Sequence, residues 1–169
     1  MRTIDFYELS DYTVPARGKI DMIILHWSAG HYGQFFSDYH LNIDSDGSLH
    51  TNMTGFDEHK SHCWRRNSRT IGIALAAGYG AWIQNESYYG YGTEPPTEEQ
   101  IDMMAKVVAK ICIEIGLPIN SDYVLTHGEI ANIDGYGIYG DDPDMRWDLW
   151  GLGDEIRERA KQYAYDWGY

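Results

Sequence analysis

Histidines are the residues of this sequence that most readily suggest chemistry, because a neutral imidazole binds metal ions and titrates near neutral pH. The segment MIILHWSAGHYGQFFSDYHLN, residues 22–42, contains three of them, His26, His31 and His40. His26 ends the apolar run IDMIILHW, and His127 ends a second apolar run, DYVLTH. Since a short apolar run bounded by turn residues is typical of a buried strand, both histidines are predicted to lie at strand ends.

A zinc site is one outcome of this arrangement. If the two strands are neighbours, His26 and His127 meet at one sheet edge, and a carboxylate from the acidic segment after His127 completes a set of two imidazoles and one oxygen. Catalytic zinc uses such a set and keeps an open position for a water molecule whose pKa falls to about 7. The alternative is two structural histidines, because about a hundred residues separate them and no local metal motif joins them.

Other elements are predicted around these two strands. The run RTIGIALAAG predicts a third buried strand, and LNIDSDGSLHTNM predicts a hairpin that turns at Asp46-Gly47. Thr97 and Gln100 form a capping-box pattern at the start of a long amphipathic helix that extends to about residue 115. A final helix is expected over roughly residues 149–165.

The remaining segments have weaker patterns. Residues 33–40, GQFFSDYH, predict a short helix, and the glycine- and aromatic-rich residues 78–93 predict a long surface loop. An irregular segment is expected between His127 and the last helix. Together the elements predict one domain over residues 1–169, an α/β or α+β sheet covered by helices.

Charge and composition exclude several classes of protein. The chain has 13 basic and 26 acidic residues, a net charge of −13, so nucleic acid is not an expected partner. Cys63 and Cys112 are the two cysteines, too few for a disulfide framework. The amino terminus has no apolar segment that could serve as a secretory signal or a membrane span. We therefore expect a monomer that is made in the cytoplasm and acts elsewhere only after release.

Six short blocks carry a resemblance to a known family. In chain order they are IILHWSAG, SDYHLNIDSDGSL, HCWRRNSRTIGIAL, PTEEQ, VLTHGEIA and DPDMRWDL. Together they resemble the type-2 N-acetylmuramoyl-L-alanine amidase family, which includes phage endolysins and peptidoglycan recognition proteins. The resemblance covers residues from about 20 to 150. It implies an α/β (α+β) fold with a central mixed β-sheet flanked by helices and a zinc site in a groove at the strand ends.

The resemblance implies a set of metal ligands. The family's first zinc ligand is the histidine that closes the first core strand, here His26, and its second is the histidine in VLTHGEIA, His127. The third is an aspartate or cysteine before proline, which implies Asp142, with Trp147-Asp148 as the pair that closes the block.

The resemblance also implies roles for other residues. Tyr39 matches a tyrosine that positions the water or stabilises the tetrahedral intermediate. His62 and Asn67 match residues that line the substrate groove, and they are expected substrate contacts together with Trp27. By contrast, His40 is expected to be structural.

Four further residues complete these expectations. His31 is expected at the edge of the groove. Asp141 and Asp144, the neighbours of Asp142, are expected to be solvated loop carboxylates. Arg146, like His62, is a candidate for an oxyanion cation.

Two positions depart from the family pattern. Many members have a glutamate general base where this chain has Ala74, and a lysine near the oxyanion where it has Gly140. With Ala74 in place, Tyr39 is the candidate for a base-like or water-orienting role, and either Arg146 or His62 could replace the missing cation.

The function implied is a zinc-dependent peptidoglycan hydrolase that cleaves the amide between N-acetylmuramic acid and L-alanine. We expect a phage or prophage endolysin that acts on the bacterial cell wall after release. The alternatives are a peptidoglycan-binding module without catalysis and a zinc peptidase that cuts within the stem peptide.

Overall fold

A mixed six-stranded sheet is the centre of the molecule. The computed structural model describes all residues, Met1–Tyr169. The eight strands are β1 (Arg2–Ile4), β2 (Met22–Trp27), β3 (Leu41–Ile43), β4 (Leu49–Thr51), β5 (Thr70–Leu75), β6 (Trp82–Asn85), β7 (Tyr88–Gly90) and β8 (Val124–Thr126). The large sheet has the order β1-β4-β3-β5-β2-β8, while β6 and β7 pair separately.

The middle of this sheet is parallel. Strand β2 pairs in parallel with β5 on one side and with β8 on the other, as expected for strands with continuous apolar runs that are buried on both faces. Strands β3 and β4 form the antiparallel hairpin predicted at Asp46-Gly47, where Gly47 adopts a φ of 85°. The carboxyl ends of β2, β5 and β8 therefore meet at one edge of the sheet.

Four helices accompany the sheet: α1 (Leu9–Thr13), α2 (Glu98–Ile115), α3 (His127–Asp134) and α4 (Gly153–Asp166). The predicted start and end of α2 are confirmed. Thr97 and Gln100 form a reciprocal capping box, and Gly116 ends the helix in the left-handed conformation with a φ of 82°. The final helix is also present, although it begins four residues later than predicted, at Gly153.

The two faces of the sheet have different partners. Ile23 and Leu25 of β2 point into the main core, which contains the apolar sides of α2 and α4. Because side chains alternate along a strand, Ile24 points to the opposite face, where it packs with Cys63 and with Ile130 of α3. His26 shares this second face, so it is held by the sheet without being enclosed by the long helices.

Three local predictions are wrong. Residues 33–40 form turns instead of a helix, because Gly33 has a φ of 74° and the Asn42 side chain bonds both the N–H and the C=O of Phe36. Residues 78–93 are not simply a loop, since β6 and β7 form a short hairpin there. The segment after β8 is not wholly irregular, since it begins with α3.

The fold class itself is confirmed: a mixed sheet flanked by helices, in an α+β arrangement. None of the helices is long and apolar enough to cross a membrane.

Candidate metal centre

Three buried side chains from distant parts of the chain converge at the carboxyl ends of β2 and β8. They are His26, His127 and Asp148, whose candidate ligand atoms all lie within 4.8 Å of one another. Oδ2 of Asp148 is 3.5 Å from Nδ1 of His26 and 3.7 Å from Nδ1 of His127. The arrangement unites the two predicted histidines with an acidic residue that was not predicted as a ligand.

Local structure explains where the histidines stand. His26 is the fifth residue of β2, and its neighbour β8 runs parallel to it and ends at Thr126. Thr126 and Glu129 then form a reciprocal capping box that starts α3, so His127 is the first residue of that helix. The parallel pairing and the helix start together bring His127 beside His26.

Close backbone packing brings Asp148 to the same place. A Cβ on Gly128 would lie 2.9 Å from the carbonyl oxygen of Asp148, so only glycine allows the chain to approach α3 this closely. Trp147 packs edge-on against Trp27, with ring centroids 4.7 Å apart. Because Trp27 follows His26 and Trp147 precedes Asp148, this aromatic contact fixes the two site residues side by side.

The group has the donor set and spacing of a metal site. Two imidazole nitrogens and one carboxylate oxygen are ligands that zinc accepts, at about 2.0–2.1 Å each. Ligands at that distance in a tetrahedron are about 3.3–3.4 Å apart, close to the 3.5 and 3.7 Å found here. Three protein ligands also leave a fourth position open. The residues present therefore fit a catalytic zinc ion.

The pKa values reflect the burial of this group. Burial lowers the pKa of His26 to about 4, so its ring is neutral at neutral pH. Burial also acts to lower the pKa of His127, but Asp148 and Cys63 together outweigh it and raise that pKa to about 9. For Asp148, burial acts to raise the pKa, yet the neighbouring His127 holds it well below its usual range. The carboxylate is therefore ionised and faces two imidazoles.

Asp142, the predicted third ligand, is not part of this group. Its side chain is exposed, and its Oδ1 accepts a hydrogen bond from the backbone N–H of Asp144, so it caps its own turn. Asp142 instead lines the wall of the adjacent groove. The position expected for it beside the two histidines is taken by Asp148. Asp141 and Asp144 are exposed, as expected for solvated carboxylates.

His62 and Asn67 line the groove, but their side chains make hydrogen bonds within the protein. Nδ1 of His62 is 2.9 Å from Nε2 of His26, and His62 is only 8% exposed. Oδ1 of Asn67 accepts hydrogen bonds from the backbone N–H groups of His62 and Cys63. Both residues therefore support the wall of the site; His62 is buried, whereas Asn67 is partly exposed.

Trp27 does not fit its predicted role as a substrate contact. The indole is 4% exposed and is enclosed by Trp147, Tyr91 and Gly78. Its side chain belongs to the main core, on the face of the sheet opposite to His26. Because side chains alternate along a strand, adjacent His26 and Trp27 point to opposite faces, and this signal was already present in the sequence.

Tyr39 lies beside the metal centre. Its ring centroid is 5.0 Å from that of His26. Burial is the largest cause that raises the pKa of Tyr39, so the phenol keeps its proton at neutral pH. Ala74 pairs with His26 across β2 and β5 and is fully buried, so no carboxylate stands at that position.

The other histidines of the opening stretch lie outside the metal group. His40 is buried, accepts a hydrogen bond at Nδ1 from Gly72 N–H, and donates from Nε2 to the carbonyl of Glu58. Both of its nitrogens are thus satisfied, as expected of a structural residue. His31 pairs with Glu94 at 2.6 Å and stacks on Tyr79 at the surface.

A groove of about 700 Å³ adjoins the metal centre. His127 and His62 form part of its floor, and Trp64, Tyr136 and Arg146 are among its walls. Its volume lies within the range of ligand-binding pockets, about 300–1,000 Å³.

The fold and the site define an α+β domain with a His-His-Asp group that could hold a metal ion at the strand ends. The profile of the family described as N-acetylmuramoyl-L-alanine amidase, Amidase_2, matches residues 16–144. The chain belongs to this family. The matched region includes Asp142 and ends before Asp148.

Solved structures agree on the fold. N-acetylmuramoyl-L-alanine amidase LysC from Clostridium intestinale URNW is 16% identical, with 85% of this chain and 86% of that chain covered and a TM-score of 0.51. Wild-type PGRP-LB of Drosophila is 20% identical, with 83% and 81% covered and a TM-score of 0.52. No curated protein sequence matches the chain.

Proposed function

We propose that this protein is a zinc-dependent hydrolase that cleaves the amide between N-acetylmuramic acid and L-alanine in peptidoglycan. The observation that carries the proposal is the convergence of His26, His127 and Asp148 beside a groove, in a chain that belongs to the amidase family. The similarity of this fold to that of N-acetylmuramoyl-L-alanine amidase LysC from Clostridium intestinale URNW also supports the proposal.

His26, His127 and Asp148 would hold the zinc ion, through Nδ1 of each histidine and Oδ2 of the aspartate. When bound, zinc supplies a Lewis acid that polarises the scissile carbonyl and activates water. The buried carboxylate of Asp148 adds a negative charge that neither histidine provides, and this charge favours a divalent cation at the centre.

Tyr39 acts as a hydrogen-bond donor in this proposal. A phenol whose pKa is raised by burial is protonated at neutral pH, so it cannot serve as a base. It can donate to the attacking water or to the oxygen that gains negative charge. This role fits its position against His26 and replaces part of what a carboxylate at Ala74 would do.

Free guanidiniums lie beside the groove, together with the carboxylates of Asp142 and Asp144. Of the basic residues, only Arg65 and Arg146 make neither an ion pair nor a side-chain hydrogen bond. Arg146 lines the groove, and Arg65 lies over the ring of Trp64, which lines it too. Stem peptides carry carboxylates, so two free guanidiniums beside the groove support peptidoglycan as the substrate.

Arg146 is the better candidate for the oxyanion cation. Its charge acts on the pKa values of both His26 and Tyr39, which places it near the reacting centre. The alternative, His62, is unsuitable, because burial lowers its pKa to about 2 and leaves it neutral. Gly140, where the family has lysine, is exposed and offers no side chain.

A second candidate function is peptidoglycan recognition without catalysis. The buried Ala74 favours it, because a general base that many family members use is absent. A zinc peptidase acting within the stem peptide would use the same metal centre. The proposed setting, a phage or prophage endolysin that acts on the cell wall after release, is shared only by the catalytic candidates.

One experiment separates these functions. Purified peptidoglycan is incubated with the zinc-loaded protein, and new chain ends are identified by mass spectrometry. Free N-terminal L-alanine with unmodified glycan supports the amidase, whereas new ends inside the stem peptide support the peptidase. Binding to peptidoglycan without any new ends would overturn the catalytic proposal in favour of recognition.

A further inference from the structure

A chain of hydrogen bonds runs away from His26 on the side opposite to Asp148. Nε2 of His26 is 2.9 Å from Nδ1 of His62, and Nε2 of His62 is 3.1 Å from Oγ1 of Thr70. Oγ1 of Thr70 in turn lies 2.5 Å from the carbonyl oxygen of Arg66. All three side chains are buried.

The carbonyl oxygen of Arg66, at the end of this chain, determines which atom donates in each hydrogen bond. A carbonyl oxygen cannot donate, so the single hydroxyl proton of Thr70 points to Arg66. Thr70 then offers only lone pairs to His62, which must carry its proton on Nε2. The ring of His62 is buried among other histidines and is neutral, so its Nδ1 is an acceptor. His26 therefore donates from Nε2, and its Nδ1 is left with a free lone pair.

This free lone pair faces Asp148 and His127. A metal ion binds only an unprotonated ring nitrogen, and which nitrogen is free depends on the bond that the other one makes. The bond to His62 thus decides which nitrogen of His26 is presented to the centre.

The ring of His62 packs directly on Gly72. A Cβ on Gly72 would lie 2.6 Å from Cγ and 2.7 Å from Nδ1 of His62. Because Gly72 has no side chain, the imidazole of His62 can pack against the backbone of β5. Gly72 and Thr70 are two residues apart on one face of the strand. Gly72 packs against Cγ and Nδ1 of the His62 ring, and Thr70 bonds its Nε2.

We propose that His62 is a positioning residue that locks His26 in the tautomer with the proton on Nε2 and a bare Nδ1 facing the metal centre. This inference rests on the proposed metal site, and it replaces the expected role of His62 as a substrate contact. Thr70 and Gly72 act through His62 and do not touch the metal or the substrate.

The tautomer can be observed directly by long-range ¹H–¹⁵N correlation spectroscopy of the metal-free protein labelled with ¹⁵N. The expected spectrum shows His26 protonated on Nε2 and unprotonated on Nδ1. A proton on Nδ1 in the wild-type protein would overturn the proposal. This readout needs neither substrate nor catalysis, so it remains informative even if the protein cleaves no peptidoglycan.

If His62 presents Nδ1 of His26 to the metal, variants that disturb His62 should bind zinc more weakly. Thr70→Val and Gly72→Ala should weaken zinc binding by about 10- to 100-fold, the usual effect of losing a partner of a metal ligand. His62→Gln, whose amide oxygen can still accept from His26, should retain more affinity than His62→Phe. Thr13→Val, which removes a buried hydroxyl bonded to Glu114, controls for a general loss of stability.

The variants also separate this role from a purely structural one. Denaturant unfolding of each variant shows whether it is folded before zinc is added. If folded Thr70→Val and His62→Phe both bind zinc as tightly as wild type, the proposal is overturned. If they lose zinc affinity while wild type fails to cleave peptidoglycan, the positioning role stands and the proposed function fails.

Discussion

Oδ2 of Asp148 lies 3.5 Å from Nδ1 of His26, although the two residues come from opposite ends of the sequence. The contact depends on two others, the packing of Trp147 on Trp27 and the close approach of the Asp148 backbone to Gly128. Asp148 is 3% exposed, so its buried charge depends on the two histidines beside it. This relationship is the basis of the proposed activity.

The phenol of Tyr39 is predicted to contribute to catalysis without contributing to zinc binding. Tyr39→Phe should lower kcat about 100-fold, the typical cost of removing one hydrogen-bond donor to a developing oxyanion, while zinc content stays at the wild-type level. Kinetics with a soluble peptidoglycan fragment, alongside zinc analysis, would measure both. Tyr163→Phe, which removes a hydroxyl bonded to Asp102, should leave kcat unchanged. Equal kcat for wild type and Tyr39→Phe would exclude the role.

The guanidinium of Arg146 is predicted to stabilise negative charge near the reacting carbonyl. Arg146→Gln should lower kcat/KM by about 10- to 100-fold, because a charge-assisted hydrogen bond contributes about 1.5–3 kcal/mol. Lys161→Gln on α4 makes the same change in net charge far from the groove and should have no effect. If both variants lose activity equally, the effect is one of net charge, and Arg146 has no specific role.

Glu114 is predicted to stabilise the fold in a pH-dependent way. Burial acts to raise its pKa, but hydrogen bonds from Lys110, Thr13 and Ser10 outweigh burial and hold the pKa below the usual value for a glutamate. A carboxyl group with a depressed folded pKa adds stability that is present above its unfolded pKa. That stability is lost as the pH falls through the folded pKa.

Urea unfolding of Glu114→Gln measures this contribution. The variant should be less stable than wild type by about 1–2 kcal/mol at pH 7, since several bonds to a charged acceptor are weakened. The difference should shrink as the pH falls below about 4.5, near the unfolded pKa. Glu99→Gln, an exposed change on the same helix, should stay within about 0.5 kcal/mol of wild type at every pH. A gap for Glu114→Gln that widens in acid would contradict the prediction.

Arg157 is predicted to hold the start of α3, and with it His127. This buried guanidinium donates two hydrogen bonds to Glu129 at 2.7 and 2.8 Å and one to the carbonyl of Val124. Arg157→Lys keeps the charge but loses the fork geometry, so it should cost about 1–3 kcal/mol of unfolding free energy.

The matched control lies on the same helix. Arg159→Lys alters a partly exposed cluster of ion pairs and should cost less than about 1 kcal/mol. Thermal or urea unfolding compares the two variants directly. Equal losses would show that burial gives Arg157 no special importance.

The predicted elements with strong local signals were found where expected. The buried strands around His26 and before His127 have continuous apolar runs, and α2 has a capping box and a terminal glycine. The signal for α3 was also present, since Thr126 and Glu129 form the same capping pattern, but the glycine- and aspartate-rich sequence after it concealed the helix. By contrast, the predicted helix over residues 33–40 fails because the side chain of Asn42, outside the segment, takes the backbone bonds of Phe36.

The metal centre was only partly predictable from the sequence. His26 and His127 were predictable because each ends an apolar run that is typical of a buried strand. The third group depends on how a loop packs, and a run with Asp141, Asp142, Asp144 and Asp148 offers no local rule for choosing among them. The contacts of Trp147 with Trp27 and of Gly128 with the Asp148 backbone place Asp148 in the group. Neither contact can be recognised from the sequence alone.

The most direct test of the account compares zinc content and peptidoglycan cleavage in Asp148→Asn and Asp142→Asn. Both substitutions remove one negative charge from the same segment and keep the side-chain shape. The account predicts that Asp148→Asn loses zinc and releases no N-terminal L-alanine, whereas Asp142→Asn keeps zinc and stays within a few-fold of wild-type activity. Loss of zinc in Asp142→Asn, with retention in Asp148→Asn, would contradict the account.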